Sequence, residues 1–583
     1  MSSKNVPRRT LHLTHSPLFS TRVHSMDPLD RAMLSYEKAK AIALSYDMTI
    51  DDLLNLSPKF WQLHNDPITV MDFGTTTLLS IQYNLCAGTI ARYTARRPEL
   101  IPLVEDLLKY RKHGQFMMTE LGHGLDIGNI ETTATLTSTG EFILNSPTPS
   151  AAKFMPPTLP AGQPCVAVVF AKLIVNGEDR GHRPFIVALN DGKQMCTGVQ
   201  CKLLPPRGGP NPVPHSLTTF RNVRLPRGSL LGGLEKPADI HANLMNIVER
   251  ITIGTIALSC LALPFTQAYA TIGTLYSLRR QIGSPTQRTP ILQFRTQQAP
   301  ILAAAANAFV MQAMQNWSIK NFCDKRLDGR VRHGVAAIFK SIMVQHSQQG
   351  ALGVSERCGA QGLFAHNQMT TLHAEMRGIA IAEGDVLGLA VRLVNELLLG
   401  RYEMPKPQNP DSLLARHEAG MFAELREVLK AAPGHRSEEV NRLVLPYCQP
   451  MMEAIGHRMA YDAAVEQGVR PALIDLYVAN VMKLDAAWYV EFAGLGRAAQ
   501  QAMETRAMDA VLPMLGELVK EMDVFAYINA PLVSDERWAA FVDDMKTHEG
   551  NGRVDLFNLP RRPVAIQPEM YAEVGSLVLS YVL

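Results

Sequence analysis

Hydrophobic residues recur at helical spacing along most of the chain, and one central stretch breaks this pattern. From about residue 27 to residue 110 the apolar positions follow one helix face, which predicts an N-terminal helical unit. Between about residues 116 and 233 the pattern changes to short β-rich runs, which end at turn sequences such as Asn176-Gly177 and Asn190-Asp191-Gly192. Helical spacing then returns and continues to the C-terminus, interrupted by a proline-rich linker at residues 405–410.

This order of elements predicts a mixed, mainly α fold with a β-barrel-like middle domain and two helical-bundle domains after it. It excludes a doubly wound nucleotide-binding sheet, because strands and helices do not alternate. The glycine cluster that begins at Gly122 also lacks the third glycine of the dinucleotide fingerprint. The predicted divisions are a tail at 1–26, an N-terminal helical domain at 27–115, a β domain at 116–235, a helical domain at 236–404 and a C-terminal helical domain at 405–583.

Charge and cysteine usage exclude several classes of function. The 57 Lys and Arg residues nearly balance the 54 Asp and Glu residues, so the net charge is only +3. Such a balance gives no strong positive field, and we predict no nucleic-acid partner. The 8 cysteines form no C-x-x-C pair and the histidines show no paired ligand spacing, so we predict no protein-bound metal.

One stretch, Ile251 to Leu278, has no charged residue and is long enough to cross a bilayer. It contains repeated Thr, Ser and Gly residues, which favour packing inside protein, so we predict a buried helix and no membrane span. The basic N-terminal segment is compatible with a transit peptide or with an unstructured tail. The C-terminal residues Ser-Tyr-Val-Leu lack a peroxisomal tripeptide. We therefore expect an intracellular protein, in the peroxisome, the cytoplasm or a mitochondrion.

Five short segments in fixed order carry a resemblance to a known family. The first runs from Phe116 to Ala134 (FMMTELGHGLDIGNIETTA) and resembles the signature that opens the β domain of peroxisomal-type acyl-CoA oxidases. The others are YSLRRQ at 276–281, LQFRTQQ at 292–298, CGAQG at 358–362 and AEGD at 382–385. By these motifs the chain is identified as a divergent member of the acyl-CoA oxidase and dehydrogenase flavoproteins, with similarity from about residue 27 to residue 400.

The resemblance implies an FAD enzyme of fatty acid metabolism that acts on an acyl-CoA or related acyl thioester. It implies O2 as electron acceptor with release of hydrogen peroxide, and a homodimer whose flavin sites are shared. Thr119 would contact the isoalloxazine ring, Arg279 the flavin pyrophosphate, and Arg250 the thioester and pantetheine of the substrate. Further cofactor contacts would come from Gly122, Gln281, Gln298, Gly359, Gln361 and Asp385.

Glu383 is the predicted catalytic base. Taken alone, an acidic residue before an apolar helix is usually a helix N-terminal stabiliser. The helix that follows, 386–399, is so apolar that its start is expected to be buried, and burial raises the basicity of a carboxylate. Removing the α-proton of a thioester needs such a base, together with donors for the enolate oxygen. The resemblance supplies these donors as the Glu383 backbone N–H and a flavin ribityl hydroxyl.

The chain departs from the family pattern at several positions, which keeps other functions open. Residues 153–158 (KFMPPT) stand where the family carries a tryptophan-rich turn followed by paired glycines. Leu125 replaces a serine, and Ile247 stands where dehydrogenases carry an aspartate. The alternatives are a dehydrogenase with another electron acceptor and a biosynthetic relative that acts on a specialised acyl or polyketide thioester. A third is a flavin-free homologue with a redox-neutral or scaffolding role.

Overall fold

The structure is a computed structural model that describes residues 8–21, 23, 26–554 and 556–557. The described residues up to Trp538 form one compact unit, and a second unit begins at Ala539. The first seven residues of the predicted tail and residues 558–583 of the predicted C-terminal domain lie outside the described residues. In the second unit, helical structure ends at Asp543 and residues 544–554 form no further helix or strand.

The N-terminal part of the described chain is helical. A capping box begins one of its helices: Thr49 Oγ1 accepts from the Asp52 backbone N–H at 3.2 Å, and the Thr49 N–H donates to the Asp52 carboxylate. A π-helical turn, Ile81–Ala87, is inserted between two α-helices. The α-helices are α1 (Pro17–Ser20), α2 (Pro28–Tyr46), α3 (Ile50–Asn55), α4 (Pro58–Leu63), α5 (Phe73–Ser80), α6 (Gly88–Ala91) and α7 (Ile101–Leu108).

The middle of the chain forms two sheets. The strands are β1 (His113–Met117), β2 (Thr133–Leu136), β3 (Phe142–Asn145), β4 (Lys153–Phe154), β5 (Cys165–Val175), β6 (Glu178–Asn190), β7 (Val199–Leu203), β8 (Ser216–Phe220) and β9 (Val223–Leu225). One sheet has the order β1-β5-β2-β3-β9, with β6 on the other edge of β5, and the second has the order β4-β8-β7. Strand β5 is long enough to pair in parallel with β1 along its first half and with β2 further on.

The predicted hairpin turn at Asn176-Gly177 is confirmed. Asn176 has φ 51° and Gly177 has φ 80°, and the flanking strands β5 and β6 pair antiparallel from this turn. Two consecutive residues with positive φ match the twist of a two-residue hairpin, which is why Asn-Gly is favoured there. Alternate residues of these strands point into a separate β core that contains Phe142, Phe185 and Phe220.

Helices fill the rest of the described chain, apart from a short exposed hairpin of β10 (Gln281–Ser284) and β11 (Gln287–Pro290). The helices up to the proline-rich linker are α8 (Ile240–Ile247), α9 (Glu249–Cys260), α10 (Ala262–Arg279), α11 (Arg295–Cys323), α12 (Gly329–Arg357), α13 (Met369–Ile381) and α14 (Val386–Leu398). Those after it are α15 (Leu413–Ala431), α16 (Glu438–Leu443), α17 (Cys448–Glu466), α18 (Pro471–Met482), α19 (Ala486–Phe492), α20 (Arg497–Val511), α21 (Leu515–Met522) and α22 (Asp535–Asp543).

The charge-free stretch forms α9 and α10, and it is packed inside the protein. The span Glu249–Arg279 is long and apolar enough to cross a membrane, but 89% of its most apolar window is buried. Helix α12 packs against α9, α10 and α11 and is itself buried along most of its length. The prediction of a buried helix is confirmed, and α12 becomes the central element of this helical region.

The predicted fold class, mainly α with a β-barrel-like middle region, is confirmed. The exact domain boundaries stay predictions. Residues 8–21 differ from the expected tail, because Leu13 and Phe19 are buried in the main core and Thr10 donates to Asp66 at 2.6 Å. Two apolar anchors and a buried hydrogen bond outweigh the basic character that suggested an unstructured segment.

Candidate active site

Glu383 lies in the short turn between α13 and α14 and has a strained backbone. Its φ of 55° is in the left-handed region, and Gly384 follows with φ 105°. For a residue other than glycine this conformation costs roughly 1–2 kcal/mol. Three hydrogen bonds hold it: Thr255 Oγ1 donates to the Glu383 carbonyl at 2.7 Å, and Lys340 Nζ donates to the carbonyls of Ala382 and Gly384, each at 2.5 Å. The surrounding helices therefore fix this turn.

The carboxylate of Glu383 is enclosed although the residue as a whole is half-buried. Its Oε2 accepts from Asn84 Nδ2 at 3.2 Å, and a Cβ built on Gly254 would lie only 1.1 Å from Oε2. Burial raises the pKa of Glu383 to about 8, against the opposing effects of Lys340, Arg250 and the Asn84 hydrogen bond. At neutral pH such a carboxyl is populated in both its protonated and its ionised form, whereas an exposed one is almost entirely ionised.

Arg250 is buried beside Asn84, the residue that donates to this carboxylate. It donates from Nε to the Asn84 carbonyl at 2.8 Å and from Nη1 to the Leu53 carbonyl at 3.0 Å. Its third nitrogen, Nη2, is buried and has no hydrogen-bond partner in the described part of the chain. Burial lowers the pKa of Arg250 to about 10, which leaves it positively charged. Its predicted contact with the thioester and pantetheine stays a prediction.

Asp385 caps α14, since its Oδ1 accepts from the Gly388 N–H at 3.0 Å. Its predicted cofactor contact stays a prediction. The start of α14 is less buried than its sequence suggests, because Leu387 is 52% exposed. Leu125 is 74% exposed, and its Cδ1 would be 3.7 Å from a Cβ built on Gly388. The exposed side chains of Leu125 and Leu387 thus form an apolar rim beside the turn that carries Glu383.

On the β side, Thr119 follows β1 and is half-buried, with its carbonyl accepting from the Phe154 N–H at 3.0 Å. The next residue, Glu120, forms a fully buried ion pair with Lys153 at 3.0 Å. Lys153 Nζ also donates to two main-chain carbonyls, and the Glu120 carboxylate accepts from two backbone N–H groups. Burial lowers the pKa of Lys153 to about 8. This pair anchors the strand end that presents Thr119.

We expect Lys153→Met to destabilise the protein by about 3–5 kcal/mol, because it leaves the Glu120 carboxylate buried without its partner. Urea-induced unfolding of the variant and the wild type measures this difference. The double variant Lys153→Met with Glu120→Gln, which removes both charges, should recover most of the loss. A single variant as stable as the wild type would contradict the assigned role of the pair.

The turn that replaces the family's glycines is closed. Met155 takes φ 81°, while Pro157 and Thr158 are buried and the Thr158 hydroxyl lies 2.7 Å from that of Thr218. Nearby, a Cβ on Gly122 would meet the Ser150 Cβ at 2.7 Å, so only glycine fits there. Its predicted cofactor contact stays a prediction, while Pro157 and Thr158 point into protein.

The remaining predicted cofactor residues gather at one end of the helical region. The end of α10, the start of α11 and the end of α12 meet there, because Gln297 Nε2 donates to Ser277 Oγ at 2.8 Å and to the Arg357 carbonyl at 2.9 Å. We name these residues the distal cluster; it consists of Arg279, Gln281, Gln298, Gly359 and Gln361.

Within the distal cluster, several polar groups already have partners. Arg279 is paired with Asp535 and donates to the Leu532 carbonyl at 3.0 Å. Gln298 Nε2 donates to the Leu292 carbonyl at 2.9 Å. Asp535 is 83% exposed, and an ion pair to so exposed a carboxylate is weak enough for another anion to displace it.

Other members of the distal cluster are open. Gln281 is exposed in β10, and Gly359 has φ 59° with no atom within 4 Å of a Cβ built on it. Gln361 is half-buried, and its Oε1 accepts from Asn367 Nδ2 at 3.1 Å. The bare backbone at Gly359 fits the close approach of a ligand.

The distal cluster is far from Glu383 in one chain. Lys340, which contacts the Glu383 turn, and Cys358, which follows the last residue of α12 and precedes Gly359, are about 27 Å apart along the helix axis. The structure therefore brings Glu383, Arg250 and Asp385 together and leaves Arg279, Gln281, Gln298, Gly359 and Gln361 in a separate group. A single flavin site would draw the two groups from two copies of the chain.

Four residues of the Glu383 site were missed by sequence reasoning: Asn84, Gly254, Thr255 and Lys340. Two of them could have been recognised from the sequence pattern around them. Gly254 interrupts a strongly apolar helical run, which often marks a close approach by another group. Lys340 is a lone charge within the apolar run of α12, and such a charge requires buried partners. Asn84 gave no signal, because its position depends on the π-helical turn.

Comparison with known proteins points to one family. Residues 250–398 match the family model described as acyl-CoA oxidase, C-alpha1 domain. The chain is similar to the putative peroxisomal acyl-coenzyme A oxidase 3.2 of Arabidopsis thaliana, with 26% identity over 360 residues, which are 58% of this chain and 52% of that protein. The match thus spans about half the length of this curated relative. Together with the motifs, these matches confirm the resemblance to acyl-CoA oxidases.

Solved structures show the same fold. The crystal structure of acyl-CoA oxidase 1 from Yarrowia lipolytica superposes with a TM-score of 0.76 at 19% identity, covering 98% of this chain and 92% of that one. The structure of acyl-CoA oxidase-1 of Caenorhabditis elegans, complexed with FAD and ATP, gives a TM-score of 0.74 at 16% identity and covers 98% and 93%. At these identities the likeness concerns the fold.

Proposed function

We propose that this relative of the acyl-CoA oxidases desaturates an acyl-CoA thioester at its 2,3 position, with Glu383 as the base that removes the α-proton. The observation that supports this proposal most strongly is the enclosed carboxylate of Glu383, whose pKa is raised to about 8 chiefly by burial. A base of this strength is close to its optimum at neutral pH. The apolar rim at Leu125 and Leu387 suits an acyl chain that enters beside it.

Groups of the chain itself would bind the thioester and stabilise the charge that develops on it. The Glu383 backbone N–H makes no hydrogen bond among the described residues, so it is available to the thioester carbonyl. Such a donor stabilises the negative charge that develops on this oxygen as the α-proton leaves. Arg250, whose substrate contact is predicted from the resemblance, adds a buried positive charge that acts on Glu383.

The residues are compatible with FAD as cofactor. Thr119 and Gly122 would lie at the flavin ring, and Arg279, Gln281, Gln298, Gly359 and Gln361 would hold the pyrophosphate and adenosine part. The open left-handed backbone at Gly359 and the displaceable partner of Arg279 support this assignment. When bound, FAD would accept the β-hydride and pass the electrons to O2.

The separation of the two groups supports a homodimer. Because the distal cluster lies about 27 Å from the Glu383 turn along α12, we propose that each flavin site combines the Glu383 side of one copy with the distal cluster of another. We also propose an intracellular, preferably peroxisomal location, since the named Arabidopsis relative is peroxisomal.

The proposal is tested by adding FAD to the purified protein and following peroxide release with acyl-CoA substrates from butyryl-CoA to palmitoyl-CoA. We expect stoichiometric FAD binding, one FAD per chain, and peroxide release with at least one chain length. Flavin reduction without peroxide would indicate a dehydrogenase with another acceptor. Failure to bind FAD would contradict the proposal and support a flavin-free role, which the closed turn at Pro157 and the Arg279–Asp535 pair would then explain.

A further inference from the structure

We propose that Lys340 is the positioning residue of this site: it holds Glu383 in its left-handed conformation through the carbonyls on either side of it and places a buried positive charge at this turn. This inference rests on the proposed function of Glu383 as base. No motif that carries the family resemblance contains Lys340. The residue stands alone as a charge in a helix segment that is otherwise apolar, between Phe339 and Ser341.

The geometry of Lys340 is specific to the turn that carries Glu383. Its side chain extends from the middle of α12, is fully buried and donates to the carbonyls of Ala382 and Gly384, each at 2.5 Å. These two carbonyls flank Glu383 on both sides. A single ammonium group thus fixes the two peptide groups that determine the direction of the Glu383 side chain.

The neighbouring bond from Thr255 completes this arrangement. Its hydroxyl donates to the Glu383 carbonyl at 2.7 Å, so all three consecutive carbonyls from Ala382 to Gly384 accept a hydrogen bond from a helix side chain. A non-glycine residue stays in the left-handed region only when its surroundings determine its conformation. Lys340 supplies two of the three bonds, and Thr255 supplies the third without any charge.

The charge of Lys340 is the second part of its role. The charged groups that act on Glu383 are Lys340 from α12 and Arg250 from α9, while Asp385 on the same turn acts on Lys340. Arg250 is already bound to two main-chain carbonyls, and Lys340 has the larger of the two lowering effects on the pKa of Glu383. Without Lys340, less positive charge would oppose the effect of burial on the pKa of Glu383. This pKa would therefore rise further, and Glu383 would keep its proton to higher pH.

The inference is tested by Lys340→Met and Lys340→Gln in the flavin-loaded protein. In both variants we expect the acidic limb of kcat/KM against pH to move upward by about 1 unit or more, as loss of a nearby opposite charge requires. Thr255→Val should lower kcat without moving this limb, because it removes a hydrogen bond and no charge. Lys38→Met is the matched control: Lys38 is also buried, bonds to Asp72 at 2.9 Å, and lies outside the site. The acidic limb of the pH profile of Lys38→Met should coincide with that of the wild type.

A second measurement does not depend on turnover. The infrared band of the Glu383 carboxylic acid is isolated by subtracting the spectrum of Glu383→Gln from that of the protein with Glu383. Its intensity is followed against pH, first in otherwise wild-type protein and then in protein that also carries Lys340→Gln. We expect its midpoint to rise in the variant background by the same amount as the kinetic limb. An unmoved midpoint together with an unmoved limb would overturn the role of Lys340. A wild type without turnover would contradict the proposed function, and the infrared midpoint would still decide on Lys340.

Discussion

Glu383→Gln is expected to lower acyl-CoA-dependent flavin reduction by about 10²- to 10⁴-fold, as loss of a general base does. The substitution keeps the size of the side chain and its hydrogen bond with Asn84, but it removes the atom that accepts the α-proton. FAD binding should be unchanged, since Glu383 is not among the predicted cofactor contacts. Rapid mixing of substrate with the FAD-loaded variant under anaerobic conditions measures the rate.

Glu375→Gln is the matched control for this prediction. Glu375 lies on the neighbouring helix α13, is fully buried, and burial raises its pKa to about 8 as well. Its carboxylate accepts from the Asn211 N–H at 2.5 Å, away from the Glu383 turn. Turnover of Glu375→Gln should remain close to that of the wild type. If both variants lost activity equally, general disruption of buried carboxyls would explain the loss and Glu383 would have no special role.

The raised pKa of Glu383 also predicts a pH dependence of stability. Because its pKa in the folded protein is about 8, above the ordinary value of 4.5, folding favours the protonated form. The stability that this group contributes is complete below about pH 4.5, and it decreases as the pH rises through about 8. Glu383→Gln lacks this dependence. As the pH increases between these two values, the melting temperature of the variant should therefore rise relative to that of the wild type.

Gly254→Ala has the second largest expected effect, about 100-fold in kcat/KM, because a small displacement of a catalytic group is enough for such a loss. The added Cβ would lie 1.1 Å from Glu383 Oε2, so the carboxylate must leave its present position. The end of a flexible side chain moves easily, and alanine is a better helix former than glycine. The variant should therefore fold normally and lose activity, which steady-state kinetics and thermal unfolding measure in parallel.

Gly350→Ala serves as the control for Gly254→Ala. Gly350 is also inside a helix of this region, but a Cβ there would meet nothing closer than 3.9 Å. This variant should keep wild-type activity and gain up to about 1 kcal/mol in stability. Wild-type activity in Gly254→Ala would mean that the enclosed position of the Glu383 carboxylate is not the one used in catalysis.

Much of the fold follows from sequence because its signals are local. The Asn176-Gly177 turn is determined by two adjacent residues and occurs as predicted, and the capping box at Thr49 is likewise formed by residues close together in the chain. The packing of residues 8–21 could not be predicted in this way. It depends on contacts such as Thr10 with Asp66, which join positions far apart in the chain.

The candidate site, like the fold, could be predicted only in part from the sequence. Glu383 was predicted from a short motif, and the structure adds an enclosed carboxylate at that position. Asn84 and Lys340, which contact Glu383 or its turn, come from segments about 300 and 40 residues away. Their roles arise only when α12 and the π-helical turn pack around α9. The exposure of Leu387 also differs from expectation, because an apolar helix face need not be covered within a single chain.

The central claim is that Glu383 removes the α-proton of a bound acyl thioester, and one measurement tests it most directly. An acyl-CoA that carries sulfur in place of its β-methylene group can lose an α-proton but cannot transfer a hydride from that position. Incubated with the FAD-loaded protein in deuterium oxide, it should gain deuterium at the α-carbon, as detected by mass spectrometry. We predict rapid exchange with the wild type and none above background with Glu383→Gln. Equal exchange with the two proteins would contradict the claim.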